Sequence, residues 1–249
     1  RTDSAYSGIM YRVYYGNQLG IWSLFCKKYG LELIVAFITL LLSMIAIVGS
    51  MAARICYHKK IALEYLGWGI LFAAVWLITN SAFRQLIFKN LSVINDITFL
   101  MIMLLALPFL MYMDEIQNRR YIKVYRGLEC IITINFFVCS AMHIFEIYDF
   151  TDTITYVSAF CILSIIVMIA TIILDIIKGY VREYIFVATG MFVVCIAAFI
   201  QIIIYFQKIN IFNGIILSIG LIVLLLFSTL STIYEIVDMD RKKQQAIMA

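Results

Sequence analysis

Seven stretches of this chain contain no Asp, Glu, Lys or Arg: residues 33–53, 65–83, 97–113, 130–145, 153–174, 184–207 and 209–234. Each is followed by a short charged segment. A helix crossing the hydrocarbon of a bilayer needs about 20 mostly apolar residues, within a range of roughly 17–25. A helix on the surface of a soluble protein alternates a polar face with an apolar one, and so cannot run this far without a charge. The fourth stretch is the shortest and holds Asn135 and His143; extended back to Gly127 it becomes long enough to cross. Strands of a membrane barrel are excluded by pattern. They need strict alternation over about 10 residues, whereas Leu221-Ile222-Val223-Leu224-Leu225-Leu226-Phe227 does not alternate.

Composition agrees. Hydrophobic residues make up 64% of the chain and charged ones 14%, against about 45–50% and about 25% in soluble domains. This excludes a disordered chain, an ordinary soluble enzyme and a nucleic-acid binder with a basic face. The expected fold is an all-α integral membrane protein, a seven-transmembrane-helix bundle spanning residues 31–234.

Lys and Arg near the ends of spans mark the cytoplasmic side. With the N-terminus outside, the inner segments hold twelve of them: Arg54, Lys59, Lys60, Arg119, Arg120, Lys123, Arg126, Lys178, Arg182, Arg241, Lys242 and Lys243. The outer segments hold seven: Arg1, Arg12, Lys27, Lys28, Arg84, Lys89 and Lys208. The expected topology is N-terminus out and C-terminus cytoplasmic. The net charge of +4 then expresses positive-inside bias rather than affinity for nucleic acid.

Residues 1–30 are rich in aromatics (Tyr6, Tyr11, Tyr14, Tyr15, Trp22, Phe25, Tyr29), with Lys27 and Lys28 placed for headgroups. They are read as an extracytoplasmic interfacial segment, preceded in the whole protein by an exported part. At the other end, residues 235–249 continue the seventh span without Pro or Gly. Leu226, Leu230, Ile233, Val237, Asp240, Gln244 and Ile247 follow a spacing of four and three, a weak coiled-coil seam. The plainer alternative is a solvated helix that simply stops.

Catalytic chemistry is not encoded. The chain has no Gly-rich phosphate loop, no GxSxG, no HExxH and no carboxylate pair placed for acid–base work. Its six cysteines form no CxxC, and two histidines, His58 and His143, are too few for a metal site. Neither a cofactor nor a metal is expected. Residues 209–234 carry no lysine for a retinal Schiff base. Asn90-Leu91-Ser92 fits the glycosylation pattern, a common chance match. Pro108, the single proline, is expected to kink the third span.

What remains is the polar residue content of the spans, costly in lipid and therefore informative. Asn80, Ser81, Arg84 and Gln85 end span two; Asn95 and Asp96 begin span three. Asn135, His143 and Glu146 follow span four upward, and Gln201 and Tyr205 lie in span six. All but Asn135 fall towards the outside. Asn80 and Arg84, one turn apart, are expected to share a helical face. The candidate site is an outward pocket of Asn80, Arg84, Gln85, Asp96, His143, Glu146, Gln201 and Tyr205, with Arg84 paired to Asp96, Glu146 or a ligand anion. The alternative is a set of interhelical hydrogen bonds and snorkelling ends.

The stretch Tyr65-Leu66-Gly67-Trp68-Gly69-Ile70-Leu71, continuing as Val75-Trp76-Leu77-Ile78-Thr79-Asn80-Ser81-Ala82-Phe83-Arg84-Gln85-Leu86-Ile87-Phe88, resembles the bacterial seven-transmembrane receptors with diverse intracellular signalling modules. More narrowly, the chain looks like the membrane region of Firmicutes GGDEF-domain diguanylate cyclases. Arg241-Lys242-Lys243-Gln244-Gln245-Ala246 is similar to the helix that leads into the GGDEF domain there. The resemblance implies a sensor that passes an extracytoplasmic signal to a cytoplasmic output domain, as a homodimer in a bacterial membrane. The GGDEF motif itself is absent, so no catalytic residue carries over, and a histidine kinase output fits equally. The competing reading is a transporter or channel with a polar path through the bundle.

Overall fold

In the computed structural model the protein is described over residues 17–57, 62–206 and 214–248. Among these there is no strand. The helices are α1 (Gln18–Tyr57), α2 (Leu63–Asn80), α3 (Arg84–Ile87), α4 (Leu91–Leu104), α5 (Ala106–Ile116), α6 (Ile122–Ile144), α7 (Phe150–Lys178), α8 (Ile185–Phe206) and α9 (Ile215–Met248), with a turn of 3-10 helix at Tyr180–Glu183. Seven spans are long and apolar enough to cross a membrane, α4 and α5 together making the third. The protein is therefore a multi-pass membrane protein in its architecture. Side-chain contacts set alternate spans head to tail. Arg54 at the end of α1 meets Glu64 at the start of α2, and Phe25 near the start of α1 meets Phe83 beyond the end of α2. We call the end carrying the α1–α2, α5–α6 and α7–α8 connectors the C-terminal end, and the other the N-terminal end.

α1 runs unbroken for 40 residues, so no corner separates its aromatic start from the span. α2 is the centre of the bundle: 61% of its apolar window is buried, against 28% for α1 and 22% for α6. Two glycines permit that position. A Cβ on Gly67 would lie 2.7 Å from Ile47 Cγ1 and 3.2 Å from the Ile47 backbone nitrogen, on α1. One on Gly69 would meet the Phe109 ring of α5 at 3.1 Å. Between lipid-immersed helices the attraction is close packing, and small residues supply it.

Several hydroxyls inside the spans find partners in their own helix. Thr39, Ser50, Thr79, Thr98, Ser164 and Thr171 each donate to a carbonyl three or four residues back, since hydrocarbon offers no water to take their place. The third span is interrupted at Leu105, whose N–H reaches Ile102 O at 3.4 Å. Pro108 lies one turn on; it has no N–H for the Leu104 carbonyl and its ring crowds that turn.

Span two ends earlier than its charge-free stretch. Ser81 takes an extended conformation (φ −67°, ψ 157°) and α2 stops at Asn80. The expected shared face of Asn80 and Arg84 is therefore corrected. They lie on different helices, because the chain turns between them and the angular relation of one helical turn is not carried across.

Candidate functional site

At the N-terminal end, the expected polar pocket resolves into separate contacts. Arg84, opening α3, donates from Nη1 to Asn95 Oδ1 at 3.0 Å. Its partner among the described residues is a neutral amide on α4 and not Asp96 or Glu146, the two protein partners expected beside a ligand anion: the residues after Ser81 bring the guanidinium to the start of α4 one position short of Asp96. His143, in the last turn of α6, is brought between two carboxylates, its Nε2 3.6 Å from Asp96 Oδ1 and its Nδ1 3.9 Å from Asp149 Oδ1. Its ring stacks on Phe150 with centroids 4.0 Å apart. Glu146 sits exposed in the following turn with φ 55°, outside this group. Asn80 is half-buried at the end of α2. The side chains of Gln85 and Tyr205 lie outside the described residues, as do Arg1, Arg12, His58, Lys59, Lys60 and Lys208.

Gln201, an α8 member of the expected pocket, has a partner within the protein. Buried on α8, it accepts a hydrogen bond at 3.1 Å from the backbone N–H of Gly214. Gly214 has φ 82°, and a Cβ there would fall 1.8 Å from Leu77 Cδ2. Only glycine fits between α2 and the start of α9, and Gln201 satisfies one of the N–H groups that a helix start leaves without an internal partner.

The densest polar network is at the C-terminal end and centres on Asp175. This α7 carboxylate is fully buried. It accepts from Tyr121 Oη at 3.0 Å and from Tyr184 Oη at 2.5 Å, and Arg120 Nη1 lies 3.1 Å from it. Arg120 Nη2 also binds Glu183 at 2.7 Å, and its guanidinium lies over the Tyr180 ring at 4.2 Å. The network runs on: Gln117 donates to Tyr184 Oη at 3.2 Å, Tyr125 donates to Gln117 at 2.7 Å, and Tyr125 Oη lies 2.7 Å from Thr171 Oγ1. Burial, then the hydrogen bond to Asp175, pushes the Tyr184 phenol well above its ordinary range, so it stays a donor.

Two turns build this node. After α5, Asn118 and Arg119 both have positive φ, 51° and 58°. The Arg119 N–H reaches back to Asp114 O at 2.8 Å, closing the helix end. Left-handed geometry costs about 1–2 kcal/mol for a non-glycine residue; it directs Arg120 and Tyr121 towards α7. After α7, Gly179 (φ 78°) caps the helix and the 3-10 turn brings Tyr184 in. The buried hydroxyls of Tyr112 on α5 and Ser228 on α9 also bond to each other, fastening the last span to the same bundle.

Between the two ends lies a cavity of about 100 Å³, bordered by α2, α4, α5, α7, α8 and α9. Trp76, Phe109, Cys161, Met191, Gln201 and Leu221 are among the residues that line it. No group of three or more His, Cys, Asp or Glu suited to a metal occurs among the described residues. Comparison of the chain with protein-family models, curated proteins and solved structures returns no match.

Proposed function

We propose that this chain is the membrane region of a receptor, which converts a signal received outside the cytoplasm or within the bundle into a movement of α9. The single observation behind this reading is the continuity of α9. It starts against Gln201, bonds to α5 through Ser228, and continues to Met248, eleven residues past the apolar span that ends at Val237. At 1.5 Å per residue its 34 residues make a rod of roughly 51 Å. A rotation or tilt imposed inside the bundle is thus carried rigidly to its far end. Leu226, Leu230, Ile233 and Val237 are all exposed along it, a stripe suited to pairing with the same helix of a second copy.

The output is a cytoplasmic domain of diguanylate cyclase type, on the resemblance of residues 65–88 and 241–246 to that family's membrane region. Orientation follows the positive-inside bias, with the Asp175 end cytoplasmic. The transporter reading is disfavoured by the bundle's middle, where apolar side chains line the cavity and the polar networks lie towards the two ends.

The test is helical phase. The chain is fused after Met248 to a cyclase reporter domain, and one to seven residues are inserted after Val237. Each residue turns the helix by about 100°, and seven bring it back to within ~20°. Cyclic di-GMP output should oscillate with insertion length and recover at seven. Output that is flat, or falls steadily with length, sinks the proposal.

A further inference from the structure

We propose that the interior cavity is a binding site for a small, uncharged, predominantly apolar molecule drawn from the bilayer. The size and lining carry this. An apolar protein cavity of roughly 150 Å³ stays dry and takes up benzene or xenon; the present one is about 100 Å³. Its lining contains no charged side chain, so an ion or zwitterion entering it would lose its hydration without a counter-charge. Met168 and Met191 border it, and unbranched thioethers reshape readily around an occupant. Trp76 and Phe109 offer aromatic faces. The occupant is thus a single ring of about benzene's size, with the two methionines yielding to one further heavy atom. Gln201 supplies the lining's amide donors, its oxygen being engaged by Gly214, and Ser158 adds a hydroxyl, so a ligand with one or two acceptor atoms finds partners.

The site is also placed to act. Leu217 and Leu221 of α9 form part of its wall, and Gln201 joins that wall to the first turn of α9. An occupant therefore presses on the helix that leaves the bundle. This second half rests on the receptor reading; the binding half does not.

The probe is bromobenzene, whose heavy atom quenches tryptophan fluorescence on contact. The chain has three tryptophans; Trp22→Phe and Trp68→Phe, both on exposed positions, leave Trp76 as the single reporter. In lipid nanodiscs, quenching of Trp76 should saturate with bromobenzene, above the linear background of partition into lipid. Ala198→Phe fills the cavity and should raise the half-saturation concentration roughly tenfold or more, about 1.4 kcal/mol by the standard conversion. Met168→Ala enlarges it and should admit bromonaphthalene, which the parent excludes. Helicity and a monodisperse elution profile show that each variant is folded, and the Met168→Ala arm decides if Ala198→Phe is not. Linear quenching in the parent overturns the proposal, as does saturation that neither variant alters. Because binding is read without any output domain, its failure leaves the receptor reading standing. Saturable binding with no effect of bromobenzene on the fused cyclase would instead refute the coupling to α9.

Discussion

Single residues decide how closely these helices approach, and glycine shows it most directly. Gly67 and Gly49 look alike in the sequence, each a glycine within an apolar run. In the fold they differ. Gly67 faces Ile47 with a backbone nitrogen 3.2 Å from where a Cβ would sit, while nothing lies within 4 Å of the corresponding point on Gly49. Gly67→Val should force α1 from α2 and destabilise by about 1–3 kcal/mol, the usual cost of overpacking. Gly49→Ala should leave the apparent melting midpoint in detergent unchanged or raise it, since alanine favours a helix by about 1 kcal/mol over glycine. A Gly67→Val midpoint equal to the parent's would show that α1 is not held there. Asp175 is the polar counterpart. Asp175→Ala removes the acceptor of two tyrosine hydroxyls and one of Arg120's two carboxylate partners. Breaking a buried pair costs about 3–5 kcal/mol; because Glu183 still holds Arg120, the lower end is expected, and Asp175→Asn should cost less. The Tyr184 phenol adds a pH dependence. Its folded value is raised above the unfolded value of about 10. Its contribution is therefore complete below pH ~10 and is lost as pH rises from there through the folded value. Melting midpoints of the parent should fall above pH ~10 more steeply than those of Tyr184→Phe; parallel profiles would show that folding does not raise the phenol's affinity for its proton.

Elements were far more legible in the sequence than the contacts between them, for physical reasons. A charge within a lipid-facing helix is costly, so counting uncharged residues finds the seven spans and places most of their ends within a few residues. The count fails where a helix ends without a charge. Ser81, Ala82 and Phe83 are uncharged, yet α2 has already stopped, and that misplacement created the supposed common face of Asn80 and Arg84. Gln201 reads in the sequence as a polar member of an outward pocket; in the fold it is buried and its partner is a backbone N–H thirteen residues on, and nothing in side-chain chemistry announces that. The Asp175 node was least visible. Its parts come from residues 117–125, 171–175 and 180–184, and each alone reads as an interfacial tyrosine, a snorkelling arginine or an isolated acid. Two positive-φ residues after α5 and Gly179 after α7 bring them together, and αL geometry at an arginine has no sequence signature. The available signal was Asp175 itself, an acid at the end of a long apolar run that needed a cation; Arg120 and Arg182 were the nearest choices on the same side of the membrane.

For the whole molecule the open choice is which end faces the cytoplasm, and packing alone does not decide it, since a bundle can be turned over without changing an internal contact. The decision lies with lysines and arginines close to the membrane. Twelve against seven is a difference of five cations, each favoured at the anionic inner surface by about 1 kcal/mol. Several of those twelve are paired in the fold: Arg54 with Glu64, Arg119 with Glu115, Arg120 with Asp175 and Glu183, and Arg126 with Glu129. This weakens the argument little, because orientation follows Lys and Arg and is almost indifferent to acidic residues. It also separates the two kinds of charge. The paired ones hold the Asp175 end together, while exposed Lys123 and Arg182 remain to meet lipid headgroups. Lys89, between α3 and α4, and Lys123, in the first turn of α6, are exposed at opposite ends, so one cysteine at each reads the orientation. In a background freed of the six native cysteines, Lys89→Cys should react with a membrane-impermeant maleimide on intact cells. Lys123→Cys should react only after the membrane is opened. The reverse pattern would place α9's far end outside, where no cytoplasmic output domain can be reached, and the receptor mechanism would fall with the topology.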